Sequence, residues 1–280
     1  MSKGKQPLRG TSIAAHPGGS VDFHIDNDAQ TSREWVENHI KPSVFGPKWV
    51  GWSDGSLSQA DKSHGGAGVY WLRLNGLDPT WITKHGGQES FAVQGEDNFD
   101  SGCTELLGTY CALSIAYWEV LDWLQRDCNQ TTLGKTKPRS PPTVTVLTDS
   151  EDAINYLKGR HRQEKTPLLD IPANWFHELM RPLDSLLSLG CHVTIRWLKG
   201  HSGIKGNERA DSLAIAGRML SEQISRDIGV KNGVSLFSLS ALVSHGVLQH
   251  IPSLNNIWEA KITIPASAGS YGGVELIEGT

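Results

Sequence analysis

Four acidic side chains lie where the sequence changes from one kind of regular structure to another, and their chemistry suits a metal site. They are Asp54, Glu105, Asp149 and Asp211. Carboxylate oxygens are the hard ligands that Mg²⁺ prefers in proteins. Carboxylates that converge without a cation repel one another and raise one another's pKa. If the fold brings these acids together, the cluster is therefore best explained as a divalent-cation site.

The run from Trp197 to Ala214 adds a histidine to this set. Its sequence, W-L-K-G-H-S-G-I-K-G-N-E-R-A-D-S-L-A, predicts the end of a strand, a mobile loop that carries His201, and the start of a helix that carries Asp211. The glycines of the run favour a flexible loop, and Asn207 is a good N-cap for the helix. A carboxylate early in a helix, beside a histidine on a loop, can form the edge of a metal site.

Each of these residues also has a simpler explanation when it is taken alone. The helix dipole favours an acid such as Glu105 near the start of a helix. Asp149, or the serine after it, can cap a helix. His201 alone is most simply a surface histidine. The acids therefore have to be judged together, by the elements that position them.

The pattern of apolar residues predicts those elements. Strands are predicted over 48–53, 69–74, 90–94, 143–147 and 191–198, and helices over 103–127, 151–157 and 175–189. A further helix follows His201. The glycines of 65–68 are interpreted as a turn, and Asp54 is placed after its strand, before a tight glycine turn. This order predicts an α/β fold, a mixed five-stranded sheet with helices on both faces.

The contexts of the four acids, in chain order, resemble those of a known family. S-D-G-S, T-E-L, T-D-S and N-E-R-A-D are similar to the four catalytic motifs of ribonuclease H, and H-S-G-I-K-G-N-E-R-A-D resembles the type 1 and retroelement-like forms. The resemblance covers residues 46–220. The paired asparagines that the family often has before its second acid are absent, since the segment here is N-F-D-S-G-C-T.

The resemblance implies an RNase H-like fold and an endonuclease that cuts the RNA strand of RNA–DNA hybrids. It implies two Mg²⁺ ions, with Mn²⁺ as a substitute, which neutralise the phosphate, activate water and stabilise the leaving alkoxide. Asp54 would bridge both ions and the other three acids would complete their coordination. His201 would assist proton transfer or product release.

Two other functions compete with this one. A catalytically silent RNA or hybrid binder, a relic of a retroelement domain, would gain nothing from four repelling carboxylates. A proofreading exonuclease on the same fold needs D-x-E at the first strand, and position 56 is Ser56.

Composition argues against a membrane protein, and the two ends of the chain are predicted to lie outside the catalytic domain. The 280 residues are 38% hydrophobic and 20% charged with a formal charge of −4, and they contain no apolar run long enough for a membrane span. Residues 1–45 are predicted to be a flexible extension apart from a short helix over 32–40. Residues 221–280 are predicted to be an extension of unknown role, with a helix over 236–248 and a strand over 258–264.

We expect an intracellular protein of the cytoplasm or nucleus, with organelle targeting left open by a basic N-terminal segment. We also expect a monomer without membrane association. The cysteines have no zinc-site spacing and are expected to be reduced. They are Cys103, Cys111, Cys128 and Cys191.

Overall fold

The computed structural model describes residues 18–26, 28–41, 47–74, 86–94, 100–132, 142–161, 175–228 and 235–238. Across these residues the chain forms seven strands and five helices. In chain order they are β1 (Ser20–Ile25), α1 (Ala29–His39), β2 (Lys48–Leu57), β3 (His64–Leu74), β4 (Gly86–Gln94), α2 (Ser101–Thr132), β5 (Thr143–Thr148), α3 (Glu151–His161), α4 (Trp175–Ser188), β6 (His192–Trp197), α5 (Lys205–Ile228) and β7 (Ser235–Ser238).

One mixed sheet contains all of these strands, in the order β1-β6-β5-β2-β3-β4-β7. β2, β3 and β4 are antiparallel neighbours, whereas β5 is parallel to β2 and β6 is parallel to β5. The predicted fold class is confirmed. The predicted count of five strands is corrected to seven, because β1 and β7 extend the sheet at its two edges.

Helices cover both faces of the sheet, as predicted. Along β2 the side chains alternate, so that Trp49 packs with α2, α3 and α4 in the larger core, while Trp52 points to the opposite face. On that second face Ala210 of α5 packs with Trp52, and Trp35 of α1 packs against the same cluster. The inner part of the sheet, where β2 and β5 carry candidate acids, therefore has helices on both faces.

The glycines after His64 lie within β3 and do not form the predicted turn. Gly66 and Gly68 are buried, and a Cβ at either position would meet the backbone of α5, at Ala214 and Ala210 respectively. The missing side chains let α5 rest directly on the strand. The turn prediction was wrong because glycine here provides close helix packing, which a local signal does not distinguish from a turn.

Residues 20–26 and 28–39 are part of the fold, which corrects the prediction that they belong to a flexible extension. β1 pairs in parallel with β6, with Val21 opposite Val193. Asp26, which follows β1, forms a buried ion pair with Arg196 of β6, and the Arg196 guanidinium lies 4.5 Å from the centre of the Trp35 ring in α1. The predicted helix over 32–40 is observed as α1.

Two further predictions are corrected. β2 does not end before Asp54 but continues to Leu57, with Asp54 opposite Gly68 of β3. Residues 236–238, predicted to be helical, form part of β7 and pair with β4. The predicted strand over 258–264 lies outside the described residues. Among the described residues, no helix is both long enough and apolar enough to span a membrane.

Candidate active site

Asp54 and Asp149 lie side by side because their strands are parallel neighbours. The β2–β5 register ends with Ser53 opposite Thr148, so the next residue on each strand is one of the two acids. Asp149 does not cap the following helix. The Ser150 hydroxyl does so, accepting a hydrogen bond from the Ala153 amide at 3.2 Å, and the Asp149 carboxylate is left for other contacts.

Glu105 comes close to these two acids because the start of α2 rests on the backbone of β2. A Cβ at Gly55 would meet the backbone of Thr104 and Glu105, and a Cβ at Gly108 would meet the Asp54 backbone. α2 is capped by Asp100, whose Oδ1 accepts from the Cys103 amide at 2.7 Å. Because α2 begins at Ser101, Glu105 lies beyond the first turn of the helix. The helix dipole, which acts mainly within the first turn, is therefore a weaker explanation for an acid at this position than the sequence indicated.

These contacts bring three of the four predicted acids together. One carboxylate oxygen from each of Asp54, Glu105 and Asp149 lies within 4.8 Å of the others. The Gly55 amide donates to Asp54 Oδ1 at 2.7 Å and to Glu105 Oε2 at 2.9 Å, so a single N–H joins the two carboxylates. The arrangement gathers negative charge at a site that is closed on the protein side by two strands and a helix.

The pKa values of two of these acids are raised. Burial raises the pKa of Asp54 to about 7, and the charges of Asp149 and Asp211 add to the effect, while the Gly55 amide opposes it. Burial also raises the pKa of Glu105 well above its usual range, with further contributions from the Asp54 and Asp149 charges. Without a cation, part of this cluster therefore stays protonated at neutral pH.

Asp211 lies near the cluster but outside its closest group. Its charge is close enough to raise the pKa of Asp54, although its oxygens do not belong to the group within 4.8 Å. Asn207, one turn earlier, was predicted to be the N-cap of α5. This is wrong, since the helix begins at Lys205.

Asn207 instead has a contact within the site. Its side chain is buried, and Nδ2 donates to Asp149 Oδ2 at 3.1 Å. The sequence did not predict this contact, but the spacing of Asn207 from Asp211 indicates that Asn207 faces the site. Asn207 and Asp211 are four residues apart, and residues at that spacing lie on the same face of a helix.

The loop that carries His201 is anchored on both sides, whereas the sequence predicted a mobile loop. The Leu198 amide donates to the Thr148 carbonyl at 2.8 Å, before the loop turns away from the sheet. Gly200 packs against Asp149, and a Cβ there would lie 2.6 Å from Asp149 Oδ2. His201 itself is exposed and has a φ of 52°, in the left-handed region. The Ser32 and Arg33 side chains of α1 also contact this loop, and these contacts were not predicted from the sequence.

The chemistry of this cluster fits a divalent cation. Its donors are carboxylate oxygens, burial and the neighbouring negative charges raise the pKa values of Asp54 and Glu105, and an exposed histidine lies on the adjoining loop. Mg²⁺ takes such oxygen ligands and retains several waters, which suits a site open to solvent on one side. The residues that would hold it are Asp54, Glu105 and Asp149, with Asp211 nearby.

Comparison with known proteins gives one family. The family model described as RNase H matches residues 48–219, which is more than half of the chain. The Ribonuclease H of Verminephrobacter eiseniae (strain EF01-2) is 56% identical over 113 residues, covering 37% of this chain and 60% of that protein. The Ribonuclease H of Polaromonas naphthalenivorans (strain CJ2) is 34% identical over 89 residues, covering 28% of this chain and 52% of that protein. The chain thus matches little more than half the length of these relatives.

Solved structures show weaker likenesses. The chain is 17% identical to LC9-RNase H1, described as a type 1 RNase H with the type 2 active-site motif, with a TM-score of 0.39 and coverage of 64% of this chain and 75% of that one. It is 18% identical to the PFV RNase H domain, with a TM-score of 0.37 and coverage of 62% and 96%.

Proposed function

Because the chain belongs to the ribonuclease H family, we propose that it is an endonuclease that hydrolyses the RNA strand of RNA–DNA hybrids by a two-metal mechanism. The observation that carries this proposal is the convergence of Asp54, Glu105 and Asp149 within 4.8 Å of one another beside the inner strands β2 and β5. A protein that only bound nucleic acid would gain nothing from such a cluster, which repels the phosphate backbone unless cations are present.

The carboxylates of this chain would hold the ions and orient them toward the substrate. Asp54 is central to the cluster. It shares the Gly55 amide as a hydrogen-bond donor with Glu105, and the charges of Asp149 and Asp211 both act on it. When bound, Mg²⁺ or Mn²⁺ supplies charge neutralisation at the phosphate, activation of water and stabilisation of the leaving oxygen. The Asn207 amide keeps the Asp149 carboxylate in place by donating to Oδ2, so that its orientation does not depend on the ligand.

His201 and Asp211 would complete the site. His201 is exposed on a loop held beside Asp149, where an imidazole can exchange a proton with a reacting group or a departing product. Asp211 would bind a cation less closely than the three clustered acids, because it lies outside their group. His201→Ala should therefore slow turnover yet leave measurable metal-dependent cleavage, whereas Asp211→Asn should weaken metal binding.

The test is an incubation of the full chain with a labelled RNA–DNA hybrid, an RNA duplex and a DNA duplex. We expect cleavage of the RNA strand of the hybrid alone, with Mg²⁺ or Mn²⁺ and not with Ca²⁺, leaving 3′-hydroxyl and 5′-phosphate ends. Asp149→Asn should abolish it. Asp152→Asn, an exposed acid in the first turn of α3, is the matched control and should leave the rate unchanged.

The outcomes separate the enzyme from a silent binder. Hybrid binding without cleavage at high protein and metal concentrations would refute the proposed activity and favour a binding protein. Equal activity of Asp149→Asn and the wild-type chain would place the reaction at another site.

A further inference from the structure

Helix α1 contacts the His201 loop at two points that flank the histidine. The Ser32 hydroxyl accepts a hydrogen bond from the Lys199 amide at 3.1 Å, and the Arg33 guanidinium donates to the Ser202 carbonyl at 3.0 Å. Lys199 and Ser202 are loop residues on either side of His201. Helix α1 lies outside the segment that matches the family model, which begins at residue 48.

The side chains that make these contacts are placed by local structure. Asp28 caps α1 by accepting from the Thr31 amide at 2.8 Å, which fixes the first turn. Ser32 follows in the same turn and is fully buried. Water therefore cannot replace the Lys199 amide as the hydrogen-bond partner of its hydroxyl. Arg33 is exposed except for its contact with the loop.

The helix is itself tied to the sheet beside the site. Trp35 packs against the apolar cluster around Trp52. The Arg196 guanidinium lies over the Trp35 ring, 4.5 Å from its centre, and forms an ion pair with buried Asp26. Arg196 belongs to β6, whose end leads into the His201 loop. Helix α1 is therefore held in a fixed place relative to the strand from which the loop begins.

On its other side the loop is held against the candidate metal ligand. Gly200 lies against the Asp149 carboxylate, and the Leu198 amide is bonded to the Thr148 carbonyl. His201 is thus held at a left-handed φ of 52°, which non-glycine residues seldom adopt without support. The loop is enclosed between α1 and Asp149.

We propose that α1 is a positioning element of the active site, in which Ser32 and Arg33 clamp the loop and set the place of His201. This inference rests on the proposed function, since Ser32 and Arg33 would affect the reaction by positioning His201 and not by contacting the substrate. They are positioning residues, and their removal should lower the rate of the chemical or release step without changing the affinity for the hybrid.

The decisive experiment compares variants in two backgrounds. Ser32→Ala and Arg33→Ala should each lower the single-turnover rate between about 10-fold and about 100-fold, because misplaced catalytic groups lose rate on that scale. Arg33→Lys should recover part of the loss. In a His201→Ala background the same substitutions should change the rate less than about twofold, since the group they position is already absent. Glu37→Ala, exposed on the same helix, is the control and should behave as wild type.

A second readout does not depend on cleavage. In the full chain, hydrogen exchange of the Lys199 amide should be at least about 10-fold faster in Ser32→Ala than in wild type or Glu37→Ala, because its hydrogen-bond acceptor is lost. The ring resonance of His201 should shift in Ser32→Ala and Arg33→Ala, and not in Glu37→Ala.

The outcomes are distinct. Equal rate losses with and without His201 would show that α1 supports only the fold, and unchanged Lys199 exchange would show that the clamp does not exist. If no variant cleaves hybrids, the proposed function fails, and the exchange and ring measurements alone decide whether α1 positions the loop.

Discussion

Replacing Asp54 by asparagine removes one negative charge from a buried cluster, and the effect on stability can be worked out from the structure. Asp54 is 6% exposed, and its pKa in the folded protein is raised to about 7, mainly by burial and then by Asp149. In the unfolded chain the pKa returns to its ordinary value of 3.8. The folded state thus binds a proton more tightly than the unfolded state does.

The sign of the pH dependence follows from this difference. Below pH 3.8 the carboxyl is protonated in both states, and its contribution to stability is fully present. Between that pH and about 7 only the folded state keeps the proton, so the metal-free protein becomes less stable as pH rises. The complete loss corresponds to about 4 kcal/mol. Because Glu105 is part of the same cluster, we expect Asp54→Asn to recover about 2–4 kcal/mol of this at pH 8.

Urea unfolding of the full chain at pH 5 and pH 8 in the presence of EDTA measures the effect. Wild type should lose stability between the two pH values, and Asp54→Asn should lose less and exceed wild type at pH 8. Mg²⁺ at pH 8 should stabilise wild type and have little effect on the variant, since ligands that bind only the folded state stabilise it. Asp152→Asn, an exposed acid, should follow wild type throughout.

Two results would refute this reasoning. If Asp54→Asn is less stable than wild type at pH 8 without metal, burial and the neighbouring charges do not disfavour the charged carboxylate in the folded state. If both proteins show the same change between pH 5 and pH 8, the pH dependence arises from other groups.

Three further predictions concern the supports of the site. Gly108→Ala should force α2 away from β2, cost about 1–3 kcal/mol in urea unfolding and displace Glu105 enough to lower the single-turnover rate about 100-fold; normal activity would show that the close helix contact is dispensable. Asn207→Ala should lower the rate roughly 10-fold with a loss of only about 1 kcal/mol, whereas a large loss of stability at normal rate would make Asn207 a purely structural residue. Asp26→Ala should leave Arg196 buried without its partner and cost about 3–5 kcal/mol, measured by urea unfolding against exposed Asp22→Ala; equal effects of the two would show that the ion pair is unimportant.

The sequence predicted that acids such as Asp54 and Asp149 lie close together, because local pattern and chain order determine the positions of their strands. Asp54 and Asp149 follow β-branched or aromatic strand patterns, and parallel neighbours bring such positions together. The glycines of β3 were misread because their role is defined by α5, which lies far away in the sequence. A packing partner of that kind leaves no local trace.

The contact of Asn207 and the strands β1 and β7 were not predicted, because the local sequence pattern at each is weak or misleading. Asn207 has the propensity of an N-cap, and only the register of α5 shows that its amide faces Asp149. β1 alternates polar and apolar residues, S-V-D-F-H-I, but it is a short edge strand of six residues directly after Gly18 and Gly19, and its apolar side chains are only half-buried or exposed, so this local signal is weak. β7 was predicted as helix because four residues carry too little pattern to outweigh a neighbouring apolar run.

The pairing of β1 with β6 has a consequence for how the chain reaches its fold during synthesis. Ser20 lies opposite His192, and these two residues are 172 positions apart in the sequence. At the usual pace of translation, the ribosome needs about 10–35 s to make the intervening chain. β2, β3 and β4 can pair with their sequence neighbours during that interval, whereas the first strand made must wait for one of the last. Newly made chains should therefore show protected amides in β2–β4 before β1, and a pause in translation ahead of β6 would lengthen the time that β1 stays open to other partners.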